Sequence, residues 1–147
     1  MIVFKAIEIT EIDDLLSMMK EFYSIDNYPF ELKVFKKLLI EFINNSDFGR
    51  AWLILSDDKI VGYVILTFIF SFEYQGRIAF LDELYLIDTA REKGIGSQTL
   101  LFIKTVSQKL SLKLIYLELE KHNLKADKLY LKSGFEIHNR KLMKYKI

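Results

Sequence analysis

The sequence predicts an α/β domain of the α+β kind, in which helices cover both faces of a central sheet. The 147 residues fit one domain of ordinary size, and 51% apolar residues with 12 Phe and 8 Tyr suffice to fill its core. Residues 60–70 and 78–87 are almost continuously apolar, which is typical of strands covered on both faces. After them, helical and extended patterns alternate to the end of the chain.

The amino-terminal third is predicted to form one strand and two helices. Alternation over residues 2–9 indicates the strand. Thr10 is an N-cap candidate, because acidic residues follow it in the first turn and apolar residues then recur at helical spacing as far as Tyr23. Residues 24–29, which include the only proline, end this helix. Apolar residues at helical spacing over 32–42 predict the second helix.

Three strands are predicted next. Residues 50–55 form the first, and the polar stretch 56–59 makes a tight turn. Residues 60–70 are rich in β-branched and aromatic side chains, as strands are. A turn around Gly76 leads to the third strand, residues 78–87.

The last third alternates between helix and strand. A helix is predicted from residue 94 or 95 to 110, a strand over 112–119 and a helix over 123–132. Gly134 is placed where a glycine commonly ends a helix, and one further short strand has room after it. A final strand is predicted over 141–147, where apolar and basic residues alternate: Met143, Tyr145 and Ile147 against Lys144 and Lys146.

The composition argues against several classes of protein. With 21 basic and 20 acidic residues, the chain lacks the basic surplus of a nucleic-acid-binding domain. The absence of cysteine removes disulfides, thiolate metal ligands and cysteine nucleophiles, and two isolated histidines speak against a metal site. The first residues do not read as a secretory signal, and the longest apolar run is about half of a membrane-spanning helix. We expect a soluble, cytoplasmic protein without a metal, a nucleic-acid partner or a membrane partner.

The sharpest local signal is the sequence Arg-Glu-Lys-Gly-Ile-Gly-Ser at residues 91–97, between a strand and a helix. A helix N-terminus presents unpaired N–H groups and the positive end of a dipole, and glycines let the backbone approach a ligand. Arg91 and Lys93 add positive charge. The stretch therefore predicts a pyrophosphate site, with a simple tight turn as the alternative. Its spacing matches neither the dinucleotide fingerprint nor the P-loop.

Two motifs resemble those of the GNAT acetyltransferase superfamily. The R-x-x-G-x-G sequence of residues 91–96 follows a strand that ends in Leu-Tyr-Leu, which is similar to that family's coenzyme A signature. Residues 123–135 resemble its N-x-x-A-x-x-x-Y-x-x-x-G-F segment. The motifs and the preceding elements occur in the family's order, so the resemblance covers residues 1–147 as a single domain. Residues 62–86 further resemble the branch that acetylates polyamines and small diamines.

The resemblance implies a mixed, mainly antiparallel sheet that is splayed between two parallel strands, with helices on both faces. Acetyl-CoA is the implied co-substrate. Its pantetheine arm would lie between residues 84–86 and the strand that ends at Leu119, its pyrophosphate would rest on N–H groups of residues 92–97, and Asn123 would contact the arm or the acceptor. The cofactor contacts implied in this way are Leu84, Tyr85, Leu86, Arg91, Glu92, Lys93, Gly94, Ile95, Gly96, Ser97, Asn123 and Tyr130.

Acetyl transfer requires a neutral amine and a proton for the departing thiolate. The resemblance makes Tyr130 the acid, the alternative being that it only packs its helix against the sheet. Asp82 and Glu83 are the candidate bases, and as neighbours on a strand they should point to opposite faces. Asp82 falls where the polyamine-type relatives carry their active-site carboxylate, so we favour it. Glu83 could instead be a paired structural charge.

The acceptor is expected to be a primary amine of a small cationic molecule. Negative charge around it could come from Asp26, Asp82, Glu118 and Glu120. For Asp26, Glu118 and Glu120, an ordinary solvated carboxylate is an equal alternative. Five aromatic residues could line the pocket or simply fill the core: Tyr23, Tyr28, Phe70, Phe72 and Tyr74. His122 and His138 have no partner that the sequence identifies.

Other functions stay open at this point. An aminoglycoside, an amino acid or a protein N-terminus could be the acceptor instead. The domain could also be a non-catalytic acyl-CoA sensor or a structural module, although the intact Tyr130 and the complete loop at 91–97 argue against both. Relatives in this family are often dimers, so a homodimer is one assembly open to the chain.

Overall fold

The computed structural model describes all of residues 1–147 and contains a five-stranded sheet with four α-helices. In chain order the elements are β1 (Ile2–Ala6), α1 (Ile12–Ile25), α2 (Leu32–Ile43), β2 (Gly49–Ser56), β3 (Lys59–Ser71), β4 (Gly76–Leu86), α3 (Ile95–Lys109), β5 (Ile115–Tyr116) and α4 (Leu124–Lys132). The strands lie side by side in sequence order, and all neighbours are antiparallel except β4 and β5, which are parallel. The predicted mixed, mainly antiparallel sheet is confirmed.

Helices cover both faces of the sheet because successive side chains of a strand point to opposite sides. Tyr63 of β3 faces α1 and α2, and the next residue, Val64, faces α3; both are fully buried. Each face has its own hydrophobic core, and α4 packs at the edge of the second one. Residues 61–66 of the apolar run therefore have the predicted environment, whereas Ile69 and Phe70 at its end are exposed.

The two parallel strands part almost as soon as they pair. The paired residues of β4 and β5 are Ala79 with Ile115 and Phe80 with Tyr116, and just before them the N–H of Lys113 donates to the carbonyl of Arg77 at 3.0 Å. Beyond Phe80, β4 continues to Leu86, while the chain after β5 runs on as irregular structure with no backbone hydrogen bond to it. We call the space between residues 81–86 and residues 117–119 the β4–β5 gap. Its walls carry backbone groups that still require hydrogen-bond partners.

A β-bulge at Asp82 marks the beginning of this gap. Ile65 of β3 is opposite Glu83, but the next residue, Leu66, is opposite Leu81, so Asp82 is the extra residue on β4. The bulge reverses the alternation of side chains. Leu81 consequently packs in the core under α3, whereas Glu83, two positions further, points to the opposite face and contacts α1.

Three strands predicted in the carboxyl-terminal third are shortened or absent. The strand predicted over 112–119 is reduced to two residues. The strands predicted over 141–147 and just after Gly134 are absent, and no backbone hydrogen bond joins any residue after Phe135 to the rest of the chain. Alternation predicts a strand only where a neighbouring edge completes the ladder, and here the apolar side chains of residues 143, 145 and 147 are exposed.

The four helices are confirmed, with small shifts at their ends. Thr10 is not an N-cap, because it lies in a 3₁₀ turn (Ile9–Glu11) and Glu11 precedes the first residue of α1. Gly134 follows the C-cap of α4 with a φ of 89°, as predicted for a glycine that ends a helix. None of the helices combines the length and apolar content that a membrane crossing requires.

Candidate active site

The connection from β4 to α3 leaves a row of backbone N–H groups without acceptors. The N–H of Arg91 donates to the carbonyl of Asp88 at 3.2 Å, and the helical ladder resumes with Gln98, which donates to Gly94 at 3.1 Å. The N–H groups of residues 92–97, between these two, have no backbone acceptor. They surround the positive end of the α3 dipole. An anion is the kind of ligand that this free N–H row can bind, and the pyrophosphate site at these residues stays a prediction.

The two glycines of this loop have different roles. Gly94 is the N-cap of α3 with a φ of 77°, in the left-handed region that favours glycine, and a Cβ there would meet nothing within 4 Å. Gly96 has no such backbone requirement. A Cβ on Gly96 would lie 3.0 Å from Cδ2 of Leu129, so its missing side chain makes room for α4. Packing against α4 is thus a structural reason for Gly96, and its contact with the cofactor stays a prediction.

The charged side chains of the loop are largely engaged with protein groups. Arg91 donates from Nε to the carbonyl of Leu86 at 2.8 Å, pairs with Asp88 at 2.6 Å and lies over the ring of Tyr85. Glu92 pairs with Lys125, which links the loop to α4. Arg91 thus closes the end of β4 onto the loop. Lys93 makes no ion pair in the structure and is exposed, so it is the loop's free cation.

Tyr130 is held by α4 with its hydroxyl unpaired. Its half-buried ring packs edge-on against Phe135, with centroids 5.6 Å apart, and burial raises the pKa of the hydroxyl to about 12. It also lines a cavity of about 460 Å³, together with residues 117–119 of the β4–β5 gap. A hydroxyl of this kind keeps its proton at neutral pH. Asn123 is the N-cap of α4: its Oδ1 accepts the N–H of Ala126 at 3.2 Å, and its NH₂ group makes no hydrogen bond.

The structure separates the two candidate bases. Glu83 is buried, and its carboxylate accepts hydrogen bonds from the hydroxyls of Tyr23 at 2.6 Å and Tyr63 at 2.7 Å. Burial nevertheless raises the pKa of Glu83. Asp82 is exposed at the bulge and has no hydrogen bond or ion pair, yet enough protein surrounds it that desolvation raises its pKa, with a smaller contribution from Glu118.

The connection between α1 and α2 (residues 26–31, the α1–α2 loop) reaches the segment that follows β5. Asp26 lies 2.9 Å from Nε2 of His122, and the hydroxyl of Tyr28 donates to Glu120. Sequence reasoning found no partner for His122 because 96 residues separate it from Asp26. His138 also has a hydrogen-bonding partner, since its Nε2 lies 3.4 Å from the hydroxyl of Tyr116.

The predicted aromatic cluster is divided between distant places. Tyr23 and Tyr28 are neighbours near the α1–α2 loop, with ring centroids 6.4 Å apart. Phe70 and Phe72 form a separate exposed pair at the far end of β3, and Tyr74 packs against Tyr116. Tyr63 was missed, because it reads as one more apolar residue of β3. The signal that could have found it is the hydroxyl, which needs a partner in so apolar a strand.

A known protein family matches most of this chain. The acetyltransferase (GNAT) family matches residues 12–135. The chain belongs to this family, and residues 12–135 form a GNAT acetyltransferase domain, a class that uses acetyl-CoA as its acetyl donor. The free N–H row and the unpaired walls of the β4–β5 gap fit that donor. No group of three or more His, Cys, Asp or Glu side chains is arranged to hold a metal ion.

Individual relatives agree with the family. The chain is 33% identical over 78 residues to the uncharacterized N-acetyltransferase YhfO of Bacillus subtilis, a match that covers 53% of this chain and 52% of that protein. The match therefore spans about half the length of that relative. An integron cassette protein from the Cole Harbour Salt Marsh metagenome has a TM-score of 0.88 at 27% identity, covering 98% of this chain and 90% of its own. A predicted acetyltransferase of Clostridium acetobutylicum solved with acetyl-CoA shares the fold, with a TM-score of 0.83 at 18% identity and coverage of 99% and 96%.

Proposed function

We propose that the protein transfers the acetyl group of acetyl-CoA to a primary amine of a small cationic molecule, of the polyamine or diamine kind. The observation that carries this proposal is the position of Asp82. It is an exposed carboxylate without a partner, at the bulge where β4 leaves β5, on the strand that runs into the free N–H row. An acidic group at this point can both attract an ammonium group and take its proton.

The donor would be held by backbone groups. The free N–H row of residues 92–97 would bind the pyrophosphate, and Lys93 would add charge at its side. The unpaired edges of the β4–β5 gap, residues 84–86 and 117–119, would accept and donate hydrogen bonds to the amides of the pantetheine arm. Bound in this way, acetyl-CoA supplies the acetyl group as a thioester.

Two side chains would handle the protons. Asp82 would accept at its carboxylate the proton that an ammonium group must lose before nitrogen can attack. Its raised pKa brings it closer to that of the amine and so makes it a stronger base than an ordinary aspartate. Tyr130 keeps its proton through the neutral range and would donate a hydrogen bond from Oη to the departing sulfur.

The preference for a cation rests on the sign of the charges around Asp82. Glu118 is close enough to raise the pKa of Asp82, and Asp26 and Glu120 lie where the α1–α2 loop meets the segment after β5. A cleft lined by one sign of charge concentrates oppositely charged substrates. Cationic amines should therefore be acetylated with higher kcat/KM than neutral or acidic ones, and added salt should reduce this preference.

A thiol-release assay with acetyl-CoA tests the proposal on a panel of amines. The panel contains diamines and polyamines, an aminoglycoside, neutral and acidic amino acids and a peptide with a free N-terminus. Diamines or polyamines should give the highest kcat/KM. A best substrate among the acidic amino acids or peptides would contradict the cationic acceptor. Binding of acetyl-CoA without thiol release for any amine would identify a sensor instead.

A further inference from the structure

Glu83 is the only charged side chain among the 29 buried residues of the protein. Both of its oxygens are engaged: Oε1 accepts the hydroxyl of Tyr23 from α1, and Oε2 accepts the hydroxyl of Tyr63 from β3. Burying a charge is costly, and apolar residues of similar size are often as stabilising as a buried polar network. Stability alone is therefore a weak reason for a carboxylate at this position.

Tyr23 connects this carboxylate to the α1–α2 loop. It lies near the end of α1, and its carbonyl accepts the N–H of Tyr28 at 2.9 Å. Its ring packs edge-on against three aromatic rings that belong to the loop and to the first turns of α2: Tyr28 at 6.4 Å, Phe30 at 6.0 Å and Phe35 at 5.2 Å between centroids. The orientation of Tyr23 thus determines where the α1–α2 loop begins its path.

Tyr63 has no comparable connection. It donates to the same carboxylate at nearly the same distance, but it is fully buried in the middle of β3, and its aromatic neighbour is Tyr85 on the adjacent strand. The two tyrosines are therefore equivalent as partners of Glu83 and different in what they reach. Of the two tyrosines, only Tyr23 packs against residues of the α1–α2 loop.

The far side of the α1–α2 loop is attached to the segment after β5 by Asp26 with His122 and by Tyr28 with Glu120. The loop is consequently held from two sides, by that segment and, through Tyr23, by the residue next to Asp82. We propose that Glu83 is a positioning residue: through Tyr23 it fixes the α1–α2 loop relative to Asp82 and thereby sets the affinity for the acceptor. This inference rests on the proposed function, in which the acceptor binds beside Asp82.

The matched variants Tyr23→Phe and Tyr63→Phe test this inference. Each keeps the ring and removes one hydroxyl from Glu83. Tyr23→Phe should raise the acceptor KM by roughly five- to tenfold, the range that one net hydrogen bond provides, with kcat and the KM for acetyl-CoA within about twofold. Tyr63→Phe should lower the thermal midpoint about as much as Tyr23→Phe does, but it should leave the acceptor KM within about twofold. Equal effects of the two variants on the acceptor KM would overturn the positioning role.

Glu83→Gln separates positioning from proton transfer. As a positioning residue, it should raise the acceptor KM and leave the acidic limb of the pH profile of kcat where it is. Loss of kcat by the roughly 10²–10⁴-fold expected for a missing base, with loss of that limb, would overturn the inference.

Amide hydrogen exchange in the free protein gives a readout that does not require turnover. The amides of Asn27 and Tyr28, which donate to the carbonyls of Ser24 and Tyr23, should exchange faster in Tyr23→Phe and at an unchanged rate in Tyr63→Phe. Unchanged exchange in both variants would overturn the inference even if the enzyme is active. Should no amine be acetylated, the proposed function fails, while this measurement still decides whether Glu83 positions the loop.

Discussion

Replacing Gly94 with alanine should weaken acetyl-CoA binding through backbone strain alone. A Cβ at this position meets nothing within 4 Å, but the φ of 77° costs a residue with a Cβ about 1–2 kcal/mol. For a chain of this size, that strain should lower the thermal midpoint by roughly 2–8 °C. Relaxation of the loop relieves part of this strain but turns N–H groups away from the pyrophosphate. Each lost bond to a charged group is worth about 1.5–3 kcal/mol, so the dissociation constant should rise roughly ten- to hundredfold.

Isothermal titration of acetyl-CoA and thermal unfolding measure the two effects, and Gly134 provides the matched control. Gly134 also has a left-handed φ, 89°, and a Cβ there would be in ordinary contact with Nζ of Lys104 at 3.7 Å, but it lies at the opposite end of α4 from the free N–H row. Gly134→Ala should lower the thermal midpoint to a similar extent and leave the affinity for acetyl-CoA unchanged. Unaltered affinity in Gly94→Ala, or an equal loss in Gly134→Ala, would refute the assignment of this loop to the pyrophosphate.

Three further predictions concern single side chains. Tyr130→Phe should lower kcat by roughly 10²–10⁴-fold with a small effect on the KM for acetyl-CoA. The thermal midpoint should stay unchanged because the hydroxyl has no hydrogen-bond partner. Near wild-type turnover would mean that Tyr130 is only a packing residue. Asp82→Asn should lower kcat and remove an acidic limb of the pH profile of kcat that lies above the ordinary aspartate pKa of 3.8. Asp58→Asn, at an exposed turn, should change neither kcat nor this limb. Equal effects of the two variants would count against a base at Asp82. The raised pKa of Glu83 means that the native state holds a proton which the unfolded chain has already released. The free energy of unfolding should therefore fall as the pH rises from about 4.5 through the raised value, and urea titrations in which Glu83→Gln shows the same slope would contradict this.

The helices and the turn at residues 91–97 were predictable from the sequence because their determinants are local. Apolar spacing identified α1 to α4, and two glycines with a strand before them identified the turn at residues 91–97. The left-handed φ of Gly94 belongs to the same local chemistry. The role of Gly96 was not predictable in this way, since it depends on Leu129, which is distant in sequence and reaches it only when α4 packs on α3.

The arrangement of the candidate site required long-range information. Sequence reasoning reduced the bases to Asp82 and Glu83, but it could not see Tyr23, which is 60 residues away from Glu83. The pairing of Asp26 with His122 was hidden for the same reason. The prediction of a final strand was wrong because alternation over residues 141–147 is only a pattern of side chains. It does not supply the neighbouring strand edge with which the residues would have to pair.

The bulge at Asp82 explains why the two carboxylates have different environments. If residues 81–83 continued as a regular strand with no bulge, Leu81 and Glu83 would point to the same face, and a charge would enter the core beneath α3. The bulge turns Glu83 toward α1, where two tyrosine hydroxyls are available, and leaves Asp82 exposed without a partner. It lies two residues beyond the last pair that joins β4 to β5. Because bulges bend a strand and increase its twist, the same residue also favours the opening of the gap that a pantetheine arm requires. Deleting Asp82 would leave Leu81 and Glu83 as neighbours on a regular strand, on the same opposite faces as now. Glu83 should then keep its two tyrosine partners, while the bulge that favours the opening of the gap is lost.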